Sequence, residues 1–181
     1  MLWLAFALLQ DPVVGAYVEK VCSKLAPGVA CSVSVEALAR AAVSDGVVSV
    51  STGMIAGSQN EAELAGILAH EIAHVKSGGV CLRFAPGPES EKVQGAVQRA
   101  RAAEHEADQA GIGILLKAGY DAGAMLRYFS RIRHAEPDLP VAFSAEDVLI
   151  ERLQLEATDR PVKDPLVDTD EFRAVRARMS K

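Results

Sequence analysis

Apolar residues recur along this chain at two different spacings, and the change from one to the other marks out its elements. From Val13 to Leu25 they fall at Val14, Tyr17, Val18, Val21 and Leu25, the stripe of an amphipathic helix, which Pro27-Gly28 ends. Short strand-like runs follow at Cys31 to Val35, Arg40 to Ser44 and Val47 to Ser51. Asp45-Gly46 separates the last two, and this pair tolerates the left-handed backbone of a type I′ turn, so a hairpin is predicted there. Helical spacing returns at Leu64, Ile67, Leu68, Ile72 and Val75. Asn60 is suited to cap this helix, Glu63 completes a capping-box pattern, and Gly78-Gly79 stops it. After a loop at Ala85-Pro86-Gly87-Pro88, a long Ala-rich helix is predicted from about Glu89 to Lys117, closed by Gly119. Asp121 caps another helix reaching about Arg133, and Pro137 and Pro140 bracket a loop. Ser144 with Asp147 opens a helix to about Ala157, and Glu171 to Met179 forms a last short one after a polar stretch.

The pattern describes an α+β chain that is mainly helical. It divides into an apolar N-terminal segment over residues 1–10, a domain over 11–157 and a C-terminal tail with a short helix over 158–181. A chain of 181 residues buries roughly 70% of the surface its unfolded form exposes, so no disulfide scaffold is required. Half the residues are hydrophobic but only 5% are aromatic, so the core rests on Ala, Val, Leu and Ile and its helices pack closely. Net charge is −5 and the 19 Lys and Arg residues are scattered, which argues against a nucleic-acid partner. Met1 to Leu9 is an unbroken apolar run, well short of the roughly 20 residues that span a bilayer. It has the character of a signal-peptide core without the basic n-region, and favours an exported or periplasmic setting over the cytoplasm. Two readings of Cys22, Cys31 and Cys81 stand: a single Cys22–Cys31 bridge in an oxidising compartment, or small buried hydrophobes.

The chemistry concentrates in His70-Glu71-Ile72-Ala73-His74, a His-Glu-x-x-His motif inside the capped helix. Residues four apart share a helix face, so both imidazoles can reach one Zn²⁺ at about 2.0–2.1 Å. Glu71 lies about 100° round the helix, beside such an ion, where a base can take a proton from an activated water. Catalytic zinc usually takes a third protein ligand and keeps one position open. Glu104-His105-Glu106-Ala107-Asp108 is a candidate source, because Glu104 and Asp108 share a face. Small Ala100, Ala107 and Gly111 would let that helix come close to the first. Glu104 could then ligate while Asp108 accepts a proton from a ligand histidine. On spacing alone, an ordinary charged helix face is an equal reading.

These segments resemble the zinc endopeptidases of the HtpX and CAAX-prenyl-protease type. The likeness is carried by Asn60-Glu61-Ala62-Glu63-Leu64-Ala65-Gly66-Ile67-Leu68-Ala69-His70-Glu71-Ile72-Ala73-His74-Val75 and by Glu104 to Asp108. It continues through Gly111 to Gly119-Tyr120-Asp121 and includes the strand and turn at Val47 to Met54. The resemblance implies one Zn²⁺ per chain held by His70, His74 and Glu104, with Glu71 as base and Asp108 hydrogen-bonded behind a ligand. It also implies a gluzincin-like core, in which the metal helix packs on a second ligand-bearing helix beside a small β-sheet. A polypeptide substrate would lie as an added strand on the sheet edge, placed here around Ala39 to Val43. The activity expected is that of a zinc metalloendopeptidase, with protein quality control as its setting. A zinc-containing binding module for unfolded polypeptides, with little turnover, is the competing reading. Many relatives carry a Ser-Thr-His-Pro-like segment before a downstream Arg. Here Ser144-Ala145-Glu146-Asp147 precedes Glu151-Arg152, and that histidine is missing. Arg152, His134 and Tyr128 are therefore the candidates for oxyanion or substrate contact.

Overall fold

A computed structural model describes residues 11–78, 91–135 and 162–179, without the side chains of 91–101, 129 and 132–135. In chain order the elements are α1 (Pro12–Leu25), β1 (Ala30–Ser34), β2 (Ala41–Ser44), β3 (Val47–Ser51) and α2 (Thr52–Gly57). They are followed by α3 (Glu61–Ser77), α4 (Glu91–Lys117), α5 (Gly123–Ala135) and α6 (Asp170–Met179). The predicted loops at Ala85 to Pro88 and Pro137 to Pro140, the predicted helix from Ser144 to Ala157, and the apolar segment 1–10 lie outside the described residues.

The hairpin forms where Asp45-Gly46 places it. Ser44 faces Val47 across a two-residue turn, and Asp45 and Gly46 have φ of 50° and 76°. Both angles are positive, as a type I′ turn requires. β3 is the central strand of the order β1-β3-β2, parallel to β1 and antiparallel to β2. Val48 and Val50 of β3 are fully buried, facing the helices. Among the described residues β2 pairs on one side only, which leaves it at a sheet edge.

The connection between β1 and β2 is held by the residues that end β3. Ser51 Oγ donates to Leu38 O at 2.7 Å, and Thr52 Oγ1 donates to Glu36 O at 2.9 Å. The Gly53 N–H also donates to Glu36 O, at 2.8 Å. Ser51 Oγ additionally accepts from the Met54 N–H and so caps α2, a short helix that the hydrophobic spacing did not predict. Six residues are too few for a periodic stripe to emerge.

α3 runs through the centre of the molecule. Every residue from Glu61 to His74 is buried, so the helix is covered all round rather than on one stripe. Its small residues allow this: a Cβ on Gly66 would come within 2.9 Å of Met125 Cβ on α5. Asn60 Oδ1 accepts from the Glu63 N–H at 3.0 Å, while Glu63 Oε2 reaches back to the Gln59 N–H at 2.8 Å. The capping box thus forms, with its return bond one residue upstream of the cap. Gly78 closes the helix in the left-handed region, at φ 66°.

Two buried carboxylates in the first turn of α3 tie it to distant parts of the chain. Glu63 receives both Nη groups of Arg131 from α5, at 2.8 and 2.6 Å. Glu61 accepts from Tyr120 Oη at 2.7 Å and from Thr169 Oγ1. The segment leading into α6 crosses the same turn, where Val167 O accepts from Ala62 N–H and Asp168 Oδ1 from Glu61 N–H. Leu166 bridges to Tyr120, and Phe172 of α6 is fully buried beside Tyr17 of α1. Cys22 at the end of α1 is disulfide-bonded to Cys31 in β1, their Cα atoms 6.4 Å apart. Of the two readings of these cysteines, the bridge is the one the structure holds.

Gly53 has no room for a side chain, because a Cβ there would lie 2.1 Å from Ala37 O. Gly53→Ala should therefore destabilise the fold by about 1–3 kcal/mol, the usual cost of overpacking. At Gly57, where nothing lies within 4 Å, the same change should not. Urea unfolding of both variants checks the difference.

Candidate metal centre

The residues of α3 and α4 meet along one line. His70 and His74, one turn apart, are 6% and 2% exposed, and their rings stand edge to face with centroids 4.8 Å apart. Their Nε2 atoms approach to 3.2 Å. Glu104 Oε2, from α4, lies 3.2 Å from His70 Nε2 and 3.5 Å from His74 Nε2. Four ligands at about 2.0–2.1 Å around a tetrahedral ion stand about 3.3–3.4 Å apart. The separations of 3.2, 3.2 and 3.5 Å bracket that value, so these three atoms could hold one metal ion and leave a fourth position open. The imidazole and carboxylate donor set suits zinc.

Asp108, one turn beyond Glu104, places Oδ1 2.8 Å from His70 Nδ1. A carboxylate can only accept, so Nδ1 carries the proton and Nε2 is the nitrogen turned toward Glu104 and His74. Glu71 is 6% exposed, and its Oε2 is buried without a hydrogen-bond partner among the described residues. Burial raises its pKa, against the lowering pull of His70 and His74. An orphaned carboxylate oxygen beside two histidines fits a water or a substrate group more readily than a structural role.

The structure therefore brings together His70, Glu71, His74, Glu104 and Asp108. Tyr128 is buried, its hydroxyl donating to Met54 Sδ at 2.6 Å and Arg131 lying 5.3 Å from its ring. His134 is in α5 but its side chain lies outside the described residues, as does the whole of Arg152. Sequence reasoning found the capping role of Glu63 but not its ion pair with Arg131, nor the role of Glu61 in holding α3. Both residues are buried, which spacing along the chain does not reveal.

Comparison with known proteins adds a second line of support. Residues 24–88, from the end of α1 past the His-Glu-x-x-His helix, match the model of peptidase family M48. The resemblance drawn from the sequence is borne out by this match and by a relative in Vibrio cholerae serotype O1. That protein, described as "Putative beta-barrel assembly-enhancing protease", is 33% identical over 119 residues. The alignment takes in 48% of this chain and 24% of the relative, so this chain spans well under half of that protein's length.

The site's charges would make the binding of a metal ion pH-dependent. Burial alone would lower the His70 pKa, but the bonds to Asp108 and Glu104 outweigh it and raise it from 6.5 to about 10 in the metal-free protein. Its contribution to stability is therefore full below 6.5 and is lost as pH rises toward 10. Glu104 goes the other way. Burial raises its pKa, the two histidines overcome this and bring it from 4.5 to about 2, and its contribution is lost as pH falls between those values. A metal ion bound by His70 at neutral pH would displace a proton from Nε2. Titration calorimetry in buffers of different ionisation enthalpy should show net proton release as zinc binds, and zinc affinity should rise with pH.

Proposed function

We propose that this chain is a zinc-dependent endopeptidase, with His70, His74 and Glu104 as metal ligands and Glu71 as the catalytic base. The observation that carries the reading is the convergence of His70 Nε2, His74 Nε2 and Glu104 Oε2 at separations of 3.2–3.5 Å beside the unpartnered Glu71 carboxylate. The M48 match supports it independently. A zinc ion held there would supply Lewis acidity, bringing the pKa of a water at its open position to about 7 and polarising a scissile carbonyl. Glu71 takes the proton of the attacking water, and its burial makes it a stronger base than an exposed carboxylate. Glu71 then returns that proton to the departing amine. Asp108 keeps the proton of His70 on Nδ1, so that Nε2 stays available as a ligand.

The substrate is an extended polypeptide that adds to the free edge of β2, with main-chain hydrogen bonds giving affinity. The half-buried Ala41, Ala42 and Val43 offer little side-chain bulk to obstruct it. Such main-chain recognition suits unfolded or misassembled proteins and so a role in quality control. The buried Cys22–Cys31 disulfide supports an exported or periplasmic setting, since such bonds persist in oxidising compartments.

Glu71→Gln should retain zinc but lose about 10²–10⁴-fold in cleavage of an unstructured protein, because it removes the acid–base group and nothing else. Paired zinc analysis and cleavage assays check this. Zinc bound by both proteins, with unfolded chains held but cut by neither, would instead favour the binding-module reading. Glu104→Ala should weaken zinc binding by more than the roughly 10–100-fold that follows loss of an outer partner. Metal content after dialysis against a chelator measures it.

A further inference from the structure

A glycine on α4 sits where the two ligand-bearing helices cross. A Cβ on Gly111 would lie 3.2 Å from both Cα and N of His70, and 3.4 Å from Ala69 C. These are backbone atoms of α3 at the ligand residue itself, so no flexible side chain can swing aside to make room. Gly111 follows Asp108 by three residues and Glu104 by seven, and so shares their helix face. The point of closest approach is thus set one turn from the carboxylate that bonds His70 and two turns from the one that faces both imidazoles.

We propose that Gly111 is a positioning residue that sets the spacing of α4 from α3, and through it the fit of Glu104 and Asp108 to the histidines. A methyl group at 3.2 Å from the α3 backbone must push the helices apart by a few tenths of an ångström. Metal–ligand distances tolerate about 0.2 Å. Glu104 has three rotatable bonds with which to recover its reach. Asp108 has two, and its bond to His70 Nδ1, 2.8 Å long, stretches directly with helix separation. The inference rests on the reading that these residues hold zinc, but its test does not depend on peptidase activity.

Gly113 supplies the control, because it is on the same helix and nothing lies within 4 Å of a Cβ placed there. Alanine is the better helix former at both positions, so on local propensity alone both variants should melt at or above the wild-type temperature without metal. Gly111→Ala should bind zinc about 10–100-fold more weakly in chelator competition, the range expected when the partner behind a ligand is lost. Gly113→Ala should bind as wild type does. In the metal-free protein, the proton NMR signal of His70 Nδ1–H should shift or vanish in Gly111→Ala and persist in Gly113→Ala. Wild-type zinc affinity in Gly111→Ala, or an unchanged His70 signal, overturns the proposal. Global unfolding of Gly111→Ala also overturns it, since the glycine would then serve general packing. If the wild type itself binds no zinc, the metal reading fails, while the His70 signal still decides the role of Gly111.

Discussion

The structure turns on the burial of an acidic and basic cluster between two helices. His70, Glu71, His74 and Asp108 are each less than 8% exposed, and Glu104 leans in from α4 to meet them. Taking such groups out of water is costly, and the cost is offset only where each charge finds a partner at hydrogen-bonding distance. Glu71 Oε2 is left without one among the described residues, but for His70 and His74 the partners come from the opposite helix, so their balance holds only while α3 and α4 stay close. Residues without bulk make that contact possible, Gly111 lying directly over the His70 backbone and Ala107 buried beside it.

That contact needs α3 to be fixed in place, and the rest of the fold does this from several directions. Arg131 of α5 grips Glu63, while Tyr120 and Thr169 share the carboxylate of Glu61. The segment before α6 adds main-chain bonds to the same turn. The N-terminal turn of α3 is therefore held by groups more than fifty residues away in sequence as well as by its own cap, whereas its C-terminal turn is closed locally by Gly78. Removing Arg131 would leave the buried Glu63 charge unpaired, which is far costlier than losing a surface ion pair.

The sheet serves the same end. Ser51, Thr52 and Gly53 use their hydroxyls and main chain to fix the β1–β2 connection, and α2 then delivers the chain to the cap of α3. The outcome is an edge strand and the helix of His70 and His74 built into one core, the arrangement that the proposed cleavage of extended chains would use. The M48 match covers this unit from the end of α1 through α3, whereas Glu104 and Asp108 lie beyond it. The carboxylate half of the cluster is thus supported by geometry and by the resemblance at Glu104 to Asp108.

What the sequence determined by itself was local. The Asp45-Gly46 turn, the Asn60–Glu63 cap, the Gly78 stop and the shared face of His70 and His74 all follow from spacings of two to four residues, because backbone geometry ties such neighbours together. The helix of Glu104 was legible too, but its face read equally well as solvated charge. The resemblance pointed to Glu104 and Asp108, but spacing alone did not, and it is tertiary structure that brings these two of many carboxylates to the histidines. It also decided that Glu61 and Glu63 are buried anchors, and that Cys22 pairs with Cys31. Each of those outcomes depends on how closely two distant segments approach, and on the desolvation that follows. Spacing along the chain does not encode either quantity.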